Sequence, residues 1–210
     1  QQDYYLLGIA GGKDSALSAG ILKDSALKEK IITFELNPSV SSKKITELTG
    51  FDQSVQVKRS LDPKLLQMNH EGYLNGHTPF SALLSFYGLL TRYLYGAKSY
   101  LVSNEQSANE CNTIYKGEEI NHQFSKSFDY EKSFAAYCKA EMGVDSGYVS
   151  LLRPFHELQI AKGFSQLKHF HQDFRSCNVG QKDNRWCHHC AKCLFTFTML
   201  SPFLELDYLS

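Results

Sequence analysis

What this sequence lacks narrows its class before any motif is considered. It has no surplus of either charge: Lys+Arg and Asp+Glu both number 22, so the formal net charge is zero, with a pI near 7.2. Proteins that follow a phosphodiester backbone carry a basic excess or stripe, so nucleic acid is not an expected partner. No apolar run approaches the ~18–20 residues of a membrane span, and no charged-then-apolar leader opens the chain. The expectation is a soluble, cytoplasmic protein without a membrane partner. Prolines number only five, and none gathers with serine into a linker. There is no internal repeat and no low-complexity segment. An initiator methionine is also missing: the chain opens at Gln1 with a strand-like run three residues on, and an upstream domain is expected to precede it.

What is present suits one core. Over 210 residues, 42% are hydrophobic and 13% aromatic, enough for a single well-packed domain. Residues 4–9 form a short apolar run of the kind that makes a buried parallel strand. Helical spacing follows over 15–27, placing Leu17, Ile21 and Leu22 on one face. Further strand-like runs cover 31–36, 53–57 and 100–102, with helices expected over 42–49 and from Pro79 to about residue 95. The second half reads as more helical, over 130–142, 155–169 and 193–206. Strands alternating with helices imply a parallel sheet covered on both faces. One α/β domain spanning residues 1–210 is expected.

The turn after the first strand reads Ala10-Gly11-Gly12-Lys13-Asp14-Ser15. Two glycines let backbone N–H groups approach an anion without an intervening Cβ. The helix that follows adds its unpaired N-terminal amides and the positive end of its dipole. Lys13 adds a point charge, Ser15 a hydroxyl, and Asp14 a carboxylate able to hold Mg²⁺ or cap the helix. Lys13 and Asp14 are expected on a surface loop outside the core. The pattern is neither a Walker loop nor a dinucleotide G-x-G-x-x-G, and a plain glycine turn with an N-cap is the bland alternative.

Four of the six cysteines fall within seventeen residues: Cys177, Cys187, Cys190 and Cys193. Clustering of this kind points to a metal, whereas cysteines spread along the chain suggest disulfides. Four thiolates close a tetrahedral site, which favours a structural zinc over hard metals and leaves no open position for catalysis. His188 and His189 lie between the ligands and are not needed.

Three polar stretches fall where loops should leave the sheet, at 75–79, 103–112 and 121–127. Open parallel sheets bind ligands beyond the carboxyl ends of their strands, and such density of amides, hydroxyls and single charges suits an oriented polar substrate. Each residue also has an ordinary alternative: Thr78 as a helix N-cap, Asn104 and Asn109 as turn formers, His122 and Lys126 as solvated side chains.

The Gly-Gly-Lys-Asp-Ser turn resembles the S-G-G-x-D-S/T loop of the PP-loop ATP pyrophosphatases, departing at Ala10, where that family has serine. Leu152-Arg153-Pro154 also resembles that family's late segment on the nucleotide side. The cysteine cluster is similar to the zinc loop of 7-cyano-7-deazaguanine synthase, itself a PP-loop enzyme. The ordered set as a whole resembles the ATP-dependent UDP-N-acetylmuramoyl-L-alanyl-L-glutamate epimerases, through Gly11 to Ser15, Asn75 to Pro79, Ser103 to Ala108, Asn121 to Ser127, Leu152 to Pro154 and Trp186 to Cys193.

That resemblance implies a PP-loop sandwich and a loop holding the pyrophosphate of ATP. It implies a nucleotide set of Ala10, Gly11, Gly12, Lys13, Asp14, Ser15, Phe34 and Arg153. The implied substrate is a small molecule, a nucleotide-linked peptide or another carboxylate, adenylated on its α-carboxylate with release of pyrophosphate. His77, Glu105, His122 and Lys126 are then the candidate acid/base groups for moving the proton at Cα. Two alternatives stay open: a deazaguanine-type or tRNA-modifying PP-loop enzyme, and a domain that binds nucleotide without turnover.

Overall fold

Runs of apolar residues too short to make helices and too greasy to face water pair into a central sheet. The computed structural model describes residues 3–74 and 79–205. In chain order the elements are β1 (Tyr5–Gly8), α1 (Lys13–Lys23), β2 (Ile31–Leu36), α2 (Val40–Thr49), β3 (Gln53–Val57), α3 (Pro63–His70), α4 (Phe80–Leu94) and β4 (Ser99–Val102). They continue with β5 (Thr113–Tyr115), β6 (Glu118–Ile120), α5 (Phe128–Met142), β7 (Tyr148–Ser150), α6 (Glu157–Ser165) and α7 (Ala191–Leu200). Five strands make a wholly parallel sheet in the order β3-β2-β1-β4-β7. β5 and β6 form a separate exposed hairpin.

Because side chains alternate along a strand, β1 feeds two cores. Leu7 and Ile9 join Ala16, Ala19 and Leu22 of α1, Ile45 of α2, Ala161 and Phe164 of α6, Phe170, Phe174 and Leu200 on one face. Leu6 joins Ile32, Phe34 and Tyr100 with Leu89 of α4, Phe134 and Cys138 of α5, and Tyr148 on the other. The α/β class with a parallel sheet is therefore as expected. Strand order reverses at β1, where β2 lies on one side and β4 on the other, and that junction opens a crevice at the carboxyl ends of the strands.

Several elements differ from their sequence patterns for local reasons. Ile21 is half exposed, because α1 turns its small residues Ala16 and Ala19 with Leu22 to the sheet. α6 starts at Glu157, after Pro154 and an extended His156, and ends at Ser165, before a separate 3₁₀ turn at Lys168–Phe170. α7 runs over Ala191–Leu200, earlier than expected, and Pro202 lies just beyond its end. The fifth sheet strand, β7, has only three residues, too few to show a period. α3 does carry a legible signal, an Asp62 cap followed by Pro63 at its first position.

Tyr100 is the largest fully buried side chain, edge-on to Phe34 and Tyr148 at centroid distances of 5.5 and 5.7 Å. Helix α4 crosses it at Gly88, where an added Cβ would lie 2.0 Å from the ring. Replacing a helical glycine with alanine normally gains up to about 1 kcal/mol, but a contact this short against a rigid ring forces repacking worth about 1–3 kcal/mol. Overpacking should win: Gly88→Ala is expected to lower the urea midpoint with an unchanged m-value, and a raised midpoint would contradict this packing.

Candidate active site and metal centre

The loop between β1 and α1 takes its shape from Gly11. Its φ is 84°, in the left-handed region, and a Cβ there would lie 2.7 Å from Ser41 Oγ and 2.8 Å from Ser42 N. Only glycine meets both demands. The Gly11 carbonyl accepts from Arg175 N (2.8 Å) and Ser41 Oγ (2.8 Å), and the Ala10 carbonyl accepts from Gln181 Nε2 (3.3 Å). Ser15 closes the turn by accepting from Ala10 N (3.3 Å) and donating to Gly12 O (3.1 Å). With the carbonyls engaged, the amides of Gly11 to Ser15 have no acceptor among the described residues. Such a cluster at a helix N-terminus is an anion site in waiting.

Lys13 does not sit on a surface loop as expected. It is 3% exposed, and its ammonium lies between Asp14 Oδ1 (2.5 Å) and Glu157 Oε2 (2.6 Å). Burial works against its charge, but the two adjacent carboxylates outweigh that and hold its pKa above the ordinary value. The first turn of α6 thus reaches back to the first turn of α1. Glu157, which follows the Leu152-Arg153-Pro154-Phe155 segment in sequence, joins Lys13 here across 144 residues.

A cavity of about 470 Å³ opens over this loop, lined by Ala10, Gly12, Asp14 and Ser15. On the β2 side its wall is largely apolar, with Phe34, Leu36, Phe80 and Leu84 beside Asn37, Ser39 and Ser42. On the β4 side Ser103, Asn104, Lys126 and Tyr148 supply polar groups beside Tyr100 and Val102. Lys126 Nζ donates to Gln123 Oε1 at 3.1 Å.

The remaining candidates are spread more widely. Glu105 is 8% exposed; burial raises its pKa, nearby Asp14 and Glu157 push the same way, and Lys126 opposes them. Arg153 braces the site from behind. It donates to the carbonyls of Glu105 (2.8 Å) and Lys126 (2.7 Å), to Ser150 Oγ (3.1 Å) and to Glu131 Oε2 (3.3 Å), and it is not part of the cavity wall. His122 is exposed, its ring bonded to Asn112 Oδ1 away from the cavity. His77, with Asn75, Gly76 and Thr78, lies outside the described residues. Ser41, Ser42 and Gln181 shape the loop without having been singled out; the serines' only sequence signal was capping, and Ser39 does cap α2.

The four clustered thiols meet. Their sulfurs all lie within 4.8 Å of one another, and Cys177–Cys190, Cys187–Cys193 and Cys190–Cys193 are 3.9, 3.8 and 3.5 Å apart. A tetrahedron with metal–sulfur bonds of about 2.3 Å has edges of about 3.8 Å, so the spacing fits a metal such as zinc and is far too long for disulfides. Gly180 N donates to Cys177 Sγ at 3.1 Å, and the amides of Cys193 and Asn178 hold the Cys190 thiol below its ordinary pKa. Trp186, one residue before Cys187, packs on Phe174 of the core at 5.3 Å.

An open parallel sheet, a glycine-shaped loop of free amides at its switch point and a cleft over that loop define the α/β architecture of this chain. The chain belongs to the MurL family: residues 1–151 match the MurL N-terminal domain and residues 172–210 the MurL C-terminal domain. It is 34% identical over 206 residues to a UDP-N-acetyl-alpha-D-muramoyl-L-alanyl-L-glutamate epimerase of Salinispora tropica, covering 96% of this chain and 44% of that protein. A protein of the same name from Xanthomonas oryzae pv. oryzae is 34% identical over 205 residues, covering 95% of this chain and 45% of its own length. The chain therefore spans a little under half the length of these relatives. The two matched segments share one core here, since Leu7 and Ile9 pack with Phe174 and Leu200. Among the described residues no helix is long and apolar enough to cross a membrane.

Two outcomes follow from the site. Purified protein should carry about one metal ion per chain, zinc on grounds of ligand softness, by elemental analysis; Cys190→Ser should lose it and melt at a markedly lower temperature. Glu105 titrates above its ordinary value of 4.5 in the folded protein, so the fold favours its protonated form. That contribution is fully present below the unfolded value and is lost as pH rises through the folded one. Glu105→Gln should therefore match the wild type in stability near about pH 4 and exceed it at neutral pH; equal stability at both would show that the carboxyl is not destabilised by its surroundings.

Proposed function

We propose that this chain is the ATP-using catalytic part of an epimerase that inverts the terminal L-glutamate of UDP-MurNAc-L-Ala-L-Glu, an enzyme of peptidoglycan synthesis built on a PP-loop sandwich. The observation that carries this reading is the row of unpaired amides at Gly11 to Ser15, of which Gly12, Asp14 and Ser15 line a cleft with apolar groups on its β2 side and polar groups on its β4 side. Family membership and the relatives' names supply the substrate.

ATP is a co-substrate here. Its phosphates suit the amide cradle, with Asp14 placed to hold Mg²⁺, and its base suits the apolar side at Phe34 and Leu36. The glutamyl α-carboxylate attacks the α-phosphorus, so pyrophosphate leaves and a mixed anhydride with AMP forms. Neutralising the carboxylate in this way is what makes the Cα–H acidic enough to ionise. A base removes the proton, it returns on the opposite face, and hydrolysis releases AMP.

Of the four acid/base candidates, Lys126 lines the cavity, while Glu105 lies buried off its wall with a pKa that burial holds above the ordinary carboxylate value. His122 stands outside the cavity wall. Arg153 acts as a brace for both carrying loops, through the carbonyls of Glu105 and Lys126. The cysteine site, as a structural zinc, keeps the segment carrying Arg175 and Gln181 against the loop.

The test is isotope exchange. In D₂O with UDP-MurNAc-L-Ala-L-Glu and Mg²⁺, deuterium should enter the glutamyl α position only when ATP is present, with AMP and the D-isomer accumulating together. Asp14→Ala should lower AMP formation and exchange together by at least about a hundredfold while the circular dichroism is retained. AMP formed without deuterium at Cα would make the enzyme a ligase and sink the epimerase reading.

A further inference from the structure

Behind the polar wall of the cleft runs a chain of hydrogen bonds whose direction can be worked out group by group. Arg153 and Glu131 form an ion pair at 3.3 Å, both largely shielded from solvent. Ser150, at the end of β7, donates its hydroxyl proton to Glu131 Oε2 at 2.7 Å. A carboxylate can only accept and a guanidinium can only donate, so no other arrangement of this corner is open. Ser150 Oγ, its one proton committed, accepts from Arg153 Nη2 at 3.1 Å and from Asn104 at 3.2 Å. The group that Asn104 turns to Ser150 must therefore be its NH₂. The second amide proton goes to Tyr148 Oη at 3.1 Å.

This fixes which end of the Asn104 amide is left over. Both its donors are used, on Ser150 behind the wall and on Tyr148 beside it, and no donor among the described residues meets its carbonyl oxygen, although Asn104 lines the cavity. A side chain that normally offers either a donor or an acceptor is held as an acceptor only. We propose that Asn104 determines substrate specificity by accepting a hydrogen bond from the substrate, and that the donor is the peptide N–H of the residue whose carboxylate is activated. Lys126 shares this wall and suits a carboxylate. The N–H of an amino-acid residue lies one carbon from its carboxylate, so a peptide seated against Lys126 presents that N–H to the same wall. The flat base of a nucleotide belongs on the opposite, apolar side. Ser150, Glu131 and Arg153 then act as positioning residues through Asn104. The inference rests on the reading that the cleft takes a peptide carboxylate, and it adds which atom of the peptide is read and by what.

The experiment compares two substrates in the intact protein: UDP-MurNAc-L-Ala-L-Glu, and the analogue whose glutamyl N–H is replaced by an ester oxygen. Wild-type protein should prefer the amide by about tenfold or more in kcat/KM, as expected for a site whose polar group would otherwise stay unpaired. Asn104→Ala should largely abolish that preference by losing the amide, with the KM for ATP unchanged. Ser150→Ala keeps Asn104 but frees its amide to flip, and should lower the preference part of the way; a merely structural role would not move this ratio. Intrinsic differences in Cα–H acidity between the substrates enter every variant equally and cancel. An unchanged preference in Asn104→Ala, or equal use of both substrates by the wild type, would overturn the inference and leave the epimerase reading standing. Failure of wild-type protein to bind or turn over either compound would overturn the epimerase reading and this inference with it.

Discussion

The close approach of three backbone segments at Gly11 is the constraint on which the site depends. At φ 84°, with no room for a Cβ beside Ser41 and Ser42, this residue lets the start of α2 and the segment around Arg175 reach the end of β1 together. Remove that contact and the carbonyls of Ala10 and Gly11 lose their fixed direction, and the amides of the loop lose theirs with it. Preorganised dipoles are effective because they need not reorient when charge arrives. Here the preorganisation comes from residues up to 171 positions away in sequence.

Charge is distributed around that loop with little to spare. Lys13 is buried and paired with both Asp14 and Glu157, so the ammonium is held in the structure by two carboxylates. An arriving anion would meet neutral amides first and an ion-paired lysine second. The same two carboxylates raise the pKa of Glu105, which burial has already raised. One ion-paired cluster thus both secures the N-terminus of α1 and favours the protonated form of a neighbouring acid.

The parts of this architecture that were legible in the sequence are those written in contiguous residues. β1 and β2 announce themselves as short apolar runs, β3 as valines alternating with polar residues, the amide-rich loop as paired glycines before a helix, and the four-thiol cluster as closely spaced cysteines. Where the physics is non-local, the sequence is silent. β7 is a strand only because β4 offers it an edge, and three residues cannot show a period. Glu157 matters through a lysine 144 residues earlier. Arg153 looks like a ligand-binding arginine in its motif, and its two terminal nitrogens meet two carbonyls, a hydroxyl and a carboxylate that no local pattern announces. Ile21 keeps the helical spacing of its neighbours but faces solvent, because α1 is pressed to the sheet by its alanines.

The pinning of the loop carbonyls by Arg175 and Gln181 bears on how much of the chain the finished loop requires. β1, β2 and β3 with α1 and α2 lie within residues 5–57 and pair in parallel, but the cores they bury are completed by α4, α5, α6 and Leu200. The loop after β1 depends on distant residues too: two of the donors that orient it lie more than 160 residues later. The direction of the loop carbonyls is therefore completed only by residues from the far end of the chain. A chain ending before Arg175 would lack both of these donors to the carbonyls of Ala10 and Gly11.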